Sequence, residues 1–392
     1  MQHTSTDDPL ALPRVPPPAP AAHPWRDRVL AALFVLALPA LALVDPLGGL
    51  STVWENRDPV RWPELSPVVG FTTRFEQAFA DRFRSRRTLL LFQHAVVAGL
   101  FRTSPAPNVL MGREGWLYWL GEDGRSLDRN FRGTLAVDDT ELAAVAAELK
   151  RRRDFLAMRG IPYVVTIVPE KFTIYPEYLP PWVAPSATPT PLARLERLLA
   201  EDGSVRYVDL VRPLRGAKSS ALLYYRTDSH WNLFGATVGY EWIMRALQTE
   251  LPDGRLQAVA APVRPAYVPG VDWYWGDLAR MLGVPYLYRE PDYAPLAKVL
   301  GDPSGRCAQQ DAAITDPRFE VYHCARPGLP KAVVYRDSMA ISLIPLLSEN
   351  FRRVVYVSSL RLDPALIERE RPDVVIEEMV ERNLLAPTHA AM

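Results

Sequence analysis

The stretch Tyr163-Val164-Val165-Thr166-Ile167-Val168-Pro169 decides the fold. It is a short, nearly continuous apolar run, rich in β-branched residues and closed by a proline. A strand with one wet face alternates apolar and polar side chains. This one does not, so both of its faces are expected to be covered, as in a buried parallel sheet. On its N-terminal side, residues 137–159 predict an amphipathic helix with Leu142, Val145, Leu149 and Leu156 on one side and Gly160 as its stop. On its C-terminal side a second helix is expected over 191–200, then a second strand over 205–210. The same alternation returns near the C-terminus, with strands over 332–335, 354–357 and 374–376 and a helical stretch over 339–350. Strands alternating with helices imply an α/β fold, a parallel sheet flanked by helices and joined by right-handed crossovers.

The chain has 392 residues, 48% of them hydrophobic and 23% charged, which excludes a disordered or fibrous protein. Lys plus Arg and Asp plus Glu each number 45, so the formal net charge is zero. A neutral chain offers no basic face for nucleic acid, and none is expected as a partner. Pro is unusual: 38 residues, about twice the ordinary share, part of it in an N-terminal tail. Residues 1–24 lack apolar periodicity and read as a disordered cytoplasmic tail. Arg26 and Arg28 then precede the apolar run Val29 to Val44, which Leu47 to Leu50 can extend. Residues 25–50 are therefore expected to form one transmembrane anchor, with residues 51–392 exported, by the positive-inside rule. A cleaved signal peptide ending near Ala40-Leu41-Ala42 and a buried core helix remain as alternatives.

Within the exported part, residues 55–101 read as helical, with Phe71, Phe75, Phe79 and Phe83 forming one stripe that reads as a packing face. Residues 111–120 read as a turn followed by a strand. Residues 251–326 are rich in Pro, Tyr and Trp, with weak periodicity, and read as an insertion that could line a cleft. Cys307 and Cys324 are an even pair in a disulfide-permissive location, open to being a disulfide or two buried thiols. No zinc-like cysteine spacing and no phosphate-binding glycine loop occurs, so neither a metal nor a nucleotide cofactor is expected.

The stretch Tyr225-Arg226-Thr227-Asp228-Ser229-His230-Trp231-Asn232 carries the chemistry. Alternate residues of extended backbone project to one side, so Asp228 and His230 can share a face just before a helix over 233–247. A carboxylate that fixes an imidazole tautomer is the base half of a nucleophilic triad. A surface Asp beside a His that caps the next helix is the plainer alternative. The nucleophile half needs a Ser at a strand tip before a helix. Ser338 fits, following the strand over 332–335 and Arg336-Asp337. There the free N–H groups and positive dipole end of the helix could meet a developing oxyanion. A Ser that merely N-caps the helix is the other reading.

Over roughly residues 55–384 the chain resembles the SGNH-hydrolase-like O-acetyltransferases of exopolysaccharide assembly, the alginate O-acetylation proteins of AlgJ/AlgX type. The pieces that carry the resemblance are Glu55-Asn56-Arg57, Asp81-Arg82-Phe83, Gly115-Trp116-Leu117-Tyr118, Pro169-Glu170-Lys171 and Tyr175-Pro176-Glu177-Tyr178-Leu179-Pro180. Further along come Thr227-Asp228-Ser229-His230-Trp231-Asn232, Gly276-Asp277-Leu278, Arg336-Asp337-Ser338 and Glu381-Arg382. The resemblance implies Ser338 as nucleophile, His230 as base and Asp228 as its orienting partner, with the Asp/His block preceding the Ser block in a permuted order. Arg336 stands where such blocks usually carry Gly, which bears on the oxyanion site. The resemblance further implies acetyl transfer through an acyl-serine to a secreted polysaccharide at the inner membrane. The catalytic domain would lie in the periplasm or extracytoplasmic space, and a membrane-bound O-acyltransferase would supply acetyl groups. Trp273, Tyr274 and Trp275 could stack on sugar rings or form a local aromatic core. An acetyl esterase of the same fold and a non-catalytic polysaccharide-binding scaffold are the alternatives.

Overall fold

The computed structural model describes residues 24–43, 60–64, 70–83, 85–121, 129, 131–132, 137–252, 254, 256, 273–292 and 307–384. The expected tail up to residue 23, the anchor run after Leu43, and residues 257–272 and 293–306 of the insertion lie outside the described residues. The chain divides into two units, residues 1–51 with 57–89, and residues 52–56 with 90–392.

In the first unit a helix spans Pro24–Leu43. Its apolar side chains from Val29 to Leu36 include Leu30, Phe34, Val35 and Leu36, all well exposed. Among the described residues, no helix is long and apolar enough to cross a membrane. A second helix, Phe71–Arg82, carries the predicted phenylalanine stripe. Phe75 and Phe79 are exposed, so this stripe is not the expected packing face. Instead the rings stack on each other along the helix, and Trp62 closes on Phe75 at 5.4 Å between centroids.

The second unit opens with a hairpin of β1 (Val109–Met111) and β2 (Leu117–Trp119), turned through Gly115 at φ +80°. The main sheet follows: β3 (Tyr163–Val168), β4 (Arg206–Val208), then, at the end of the expected insertion, β7 (Ala308–Gln310) and β8 (Phe319–Cys324), and after it β9 (Lys331–Tyr335), β10 (Arg353–Val357) and β11 (Val374–Val380). A two-stranded piece of β5 (Trp273–Tyr274) and β6 (Glu290–Pro291) lies between them in sequence. The sheet order is β4-β3-β11-β9-β10-β8-β7. The first five strands of that order are parallel, as the apolar runs require. β8 and β7 add an antiparallel edge, so the end of the insertion contributes to the sheet.

Helices form where capping and periodicity agree. Asp138 and Glu141 make a capping box for helix Asp139–Ala157, and Thr190 caps helix Pro191–Asp202. Their apolar faces cover one side of the sheet with Leu142, Leu149, Leu156, Leu195 and Leu199. Helix Leu233–Glu250 covers the other side with Val238, Ile243 and Leu247. The strand expected over 374–376 extends to Val380 because two buried glutamates continue it. Glu377 accepts from buried Arg152 at 2.7 Å and from the Tyr163 hydroxyl, so its charge is matched within the core.

Cys307 and Cys324 are joined in a disulfide beside the β7–β8 pairing. The link spans 17 residues of sequence. Closing a loop of that size removes about 3 kcal/mol of unfolded-state entropy. Replacing both cysteines by Ser should lower unfolding stability by about that amount in a urea titration. An unchanged midpoint would show that the edge strands hold without the link.

Candidate active site

Ser338 follows the C-terminal end of β9, inside the parallel part of the sheet. This is where open α/β sheets place their ligand sites. Backbone N–H of Met339 donates to Asp337 Oδ1 at 2.9 Å, so Asp337, not Ser338, caps the turn. Asp337 Oδ2 also accepts from Val380 N–H and from Asn383 Nδ2, both at 2.7 Å. That side chain thus ties the Ser338 turn to the end of β11 and the residues just after it. Ser338 is released from capping and its residue is exposed.

The helix expected over 339–350 is interrupted. Ser338–Ser342 is a 3₁₀ turn, Ile344–Leu347 a single α turn and Ser348–Asn350 another 3₁₀ turn. Pro345 cannot donate a backbone hydrogen bond, which breaks a continuous α-helix here. The long-helix dipole expected behind Ser338 is therefore absent. Arg336 does not replace it. Its N–H donates to Val357 O at 3.0 Å within the sheet, and its side chain pairs with Glu320 of β8.

The Asp/His block lies on the loop before helix Leu233–Glu250. Asn232 caps that helix, accepting from the N–H groups of Phe234 and Gly235, so His230 has no capping duty. His230 Nε2 lies 2.9 Å from Ser338 Oγ, and His230 Nδ1 lies 2.7 Å from Asp228 Oδ1. All three residues of the expected triad are brought together, although 108 residues separate His230 from Ser338.

Asp228 is 4% exposed and accepts more than the imidazole. Oδ1 also takes the His230 backbone N–H at 2.9 Å. Oδ2 takes the Tyr274 hydroxyl at 2.7 Å and the Asp277 N–H at 3.0 Å. Burial alone would raise the Asp228 carboxyl. The hydrogen bond and charge of His230, with the Tyr274 hydroxyl, outweigh it and hold the group below the ordinary carboxylate range. Burial likewise pulls His230 down, but its bond to Asp228 and that charge leave it above 6.5.

The sequence assigns no role to Asp277, although Gly276-Asp277-Leu278 belongs to the resembling pieces, and offers Tyr274 only as a sugar-stacking ring, whereas its hydroxyl donates to Asp228. With β6 they brace the loop. Glu290 accepts from the N–H groups of Arg226 and Thr227 at 2.9 and 2.7 Å and from the Thr227 hydroxyl at 2.6 Å. Gly276 packs on the Thr227 backbone so closely that a Cβ there would lie 2.1 Å from Thr227 O. Buried Lys171 donates to Leu117 O and Arg226 O, linking β2 to the same loop. Burial lowers its ammonium to about 8. Arg382 Nη1 stands 3.1 Å from Glu170 Oε1.

One more contact joins the two halves. Trp231, adjacent to His230, donates its indole N–H to Met339 O, adjacent to Ser338, at 2.8 Å. Its ring lies against Gly239, where a Cβ would come within 2.7 Å of it. Asp228, His230 and Asp277 also have the spacing of a cation site. Here, however, Nδ1 of His230 faces Asp228 at hydrogen-bond distance, which suits a proton relay.

Such a geometry defines an α/β protein in which a serine, a histidine and a buried aspartate are hydrogen-bonded in series. Comparison with known proteins places it more narrowly. Residues 109–310, over half of the chain, match the family described as SGNH hydrolase-like domain, acetyltransferase AlgX, and the chain belongs to that family. The matched segment contains Asp228 and His230 and ends before Ser338. The probable alginate O-acetylase AlgJ of Pseudomonas syringae pv. tomato is 28% identical over 251 residues, 63% of this chain and 60% of that protein. The protein of the same description from Pseudomonas aeruginosa is 28% identical over 189 residues, 47% of this chain and 43% of that one. The chain thus matches at most about three-fifths of the length of these relatives. Among solved structures, the O-acetyltransferase domain of Pseudomonas putida AlgJ aligns over 71% of this chain and 92% of that domain, with 20% identity and a TM-score of 0.45.

Two outcomes test the site. Base catalysis needs neutral His230, and its proton affinity is raised, so activity should climb with pH through a midpoint above 6.5. A pH–rate profile with its acid limb below that value would contradict the Asp228 contact. Trp231→Phe removes the indole donor and leaves Met339 O without that partner. It should cost about 1–3 kcal/mol of stability and lower kcat more than it raises KM. Chemical denaturation and steady-state kinetics read the two effects separately.

Proposed function

We propose that this protein is an O-acetyltransferase acting through an acyl-serine on a polysaccharide hydroxyl. The observation that carries the proposal is the relay Ser338 Oγ–His230 Nε2 at 2.9 Å and His230 Nδ1–Asp228 Oδ1 at 2.7 Å. Membership in the acetyltransferase family and the names of the curated relatives support the acetyl group as cargo.

In the first half-reaction Ser338 Oγ attacks the carbonyl carbon of an acetyl donor while its proton passes to His230 Nε2. The resulting imidazolium is held by Asp228, and its proton leaves with the departing group of the donor. In the second half, an acceptor hydroxyl gives its proton to His230 Nε2 and attacks the acetyl-serine. Ser338 then recovers the proton. Asp228 keeps its charge throughout, fixed by Tyr274 and the Asp277 N–H. The Ser338 N–H is the nearest backbone candidate for the oxyanion, since the N–H groups of Arg336, Asp337 and Met339 are committed to Val357 O, Glu378 Oε2 and Asp337 Oδ1.

The acceptor is proposed to be a secreted polysaccharide. The curated relatives are named for alginate, and the exposed Trp273 and Trp275 flank Tyr274, offering flat apolar faces for sugar rings. The helix Pro24–Leu43, with the apolar residues that follow it in sequence, is proposed as an inner-membrane anchor, which would place the second unit in the periplasm. Its arginine-flanked start and its exposed apolar side chains support this. A membrane-bound O-acyltransferase, which the family resemblance implies, is the proposed source of acetyl groups.

Incubation with an activated acetyl ester should acetylate Ser338, seen as a mass shift on its peptide. Added oligosaccharide should then gain acetyl groups. Ser338→Ala and His230→Ala should each lower transfer by about 10³-fold or more, and the double variant should be little worse. Labelling of another residue, or transfer that survives Ser338→Ala, would overturn the mechanism. Labelling of Ser338 with release only to water would favour the esterase reading.

A further inference from the structure

Asp277 lies outside the three-residue relay, yet it faces the same imidazole. Its Oδ2 stands 3.6 Å from His230 Nδ1, beyond hydrogen-bond length but within ion-pair range. The carboxylate is aimed by Ser229, whose N–H donates to Oδ1 at 2.7 Å and whose hydroxyl donates to Oδ2. Its own backbone N–H, meanwhile, donates to Asp228 Oδ2. Asp277 therefore holds the first carboxylate with its main chain and presents a second one with its side chain.

Two carboxylates this close repel one another unless a cation sits between them. Among the described residues, the cation within ion-pair range of both carboxylates is the His230 imidazolium, which forms in turnover when Ser338 or the acceptor gives up its proton, while the Lys171 ammonium bears on both from farther off. A charge that is disfavoured beside neutral histidine and favoured beside protonated histidine acts on the transition state more than on the ground state. Burial and the Asp228 charge both raise the Asp277 carboxyl, as this opposition requires. The other groups that bear on the pair are the Tyr274 hydroxyl and Lys171, with Glu170 and Arg382 bearing on His230.

We propose that Asp277 is a positioning residue with an electrostatic task, a second carboxylate that stabilises the His230 imidazolium and partly replaces Asp228 when that residue is lost. The proposal rests on the triad reading above, and its test separates the two. Histidine-ring NMR on the full-length protein follows the titration of His230, assigned by its loss in His230→Gln, without any substrate. Asp277→Asn keeps the size of the side chain and removes the charge. It should lower the His230 midpoint by about half a pH unit or more. The acid limb of p-nitrophenyl acetate turnover should shift by the same amount. Asp277→Glu should restore most of that shift. Asp228→Asn should keep residual turnover, and Asp228→Asn with Asp277→Asn should be roughly tenfold or more below it.

A purely structural Asp277 predicts otherwise: lower turnover in Asp277→Asn with the His230 midpoint unmoved, and a double variant no worse than Asp228→Asn. Either result overturns the proposal. If Asp277→Asn does not fold, Asp277→Ser, with room for a water at the carboxylate position, is read by the same titration. A His230 midpoint that shifts while Ser338 resists acetylation would leave the charge pairing standing and remove the acyl-serine mechanism instead.

Discussion

Everything at the site depends on one buried carboxylate. Asp228 accepts four hydrogen bonds, from the His230 ring, the His230 backbone, Tyr274 and Asp277. An ionised carboxylate at 4% exposure is tolerable only with such a set of donors. The donors come from two segments, the loop 227–230 and the strand-and-turn 274–277. The ionised acid therefore holds the loop and its brace together. The brace is then fixed by contacts that leave no slack. Glu290 gathers the Arg226 and Thr227 amides, and Gly276 rests directly on the Thr227 backbone. The electrostatic requirement of a single residue becomes a packing requirement on segments some sixty residues apart in sequence.

The sheet performs the complementary task for the nucleophile. β9 lies between β11 and β10, so the turn that carries Ser338 is anchored on both sides by neighbouring strands. Asp337 fastens the turn to Val380 and Asn383, and Arg336 fastens it to Val357 and Glu320. The departure from glycine at 336 thus acts on the outside of the turn, toward β8, and leaves the serine where the strand end puts it. Trp231 and Met339 then bring the two blocks into register through one hydrogen bond. Which block comes first along the chain is immaterial to that geometry.

The parallel core was legible because an uninterrupted apolar run has few structural meanings. The runs 163–168, 332–335, 354–357 and 374–376 all became strands, and Gly160 and Gly203 end helices in the left-handed conformation such stops require. That Asp228, His230 and Ser338 meet was legible from a two-residue spacing and a strand-to-turn serine, read with the family likeness. What stayed hidden depends on partners distant in sequence. Glu377 reads as the end of a strand until Arg152, 225 residues away, is seen to neutralise it. Tyr274 and Asp277 sit in a stretch without periodicity, where nothing local says that their groups turn toward residue 228. The phenylalanine stripe of Phe71–Arg82 shows the reverse limit: helical spacing gives a face but not what lies against it.

Under the proposed mechanism, the openness of Ser338 has a kinetic consequence. An acyl group on an exposed serine is within reach of bulk water, the most abundant competing nucleophile. The relay cannot tell a water proton from a sugar-hydroxyl proton, because His230 Nε2 accepts either with the same geometry. The ratio of transfer to waste is therefore fixed away from the triad, by how long an acceptor hydroxyl dwells beside Ser338 and how high an effective concentration it reaches there. Selectivity in such an enzyme is a matter of residence time, and surfaces far from the reacting atoms decide it.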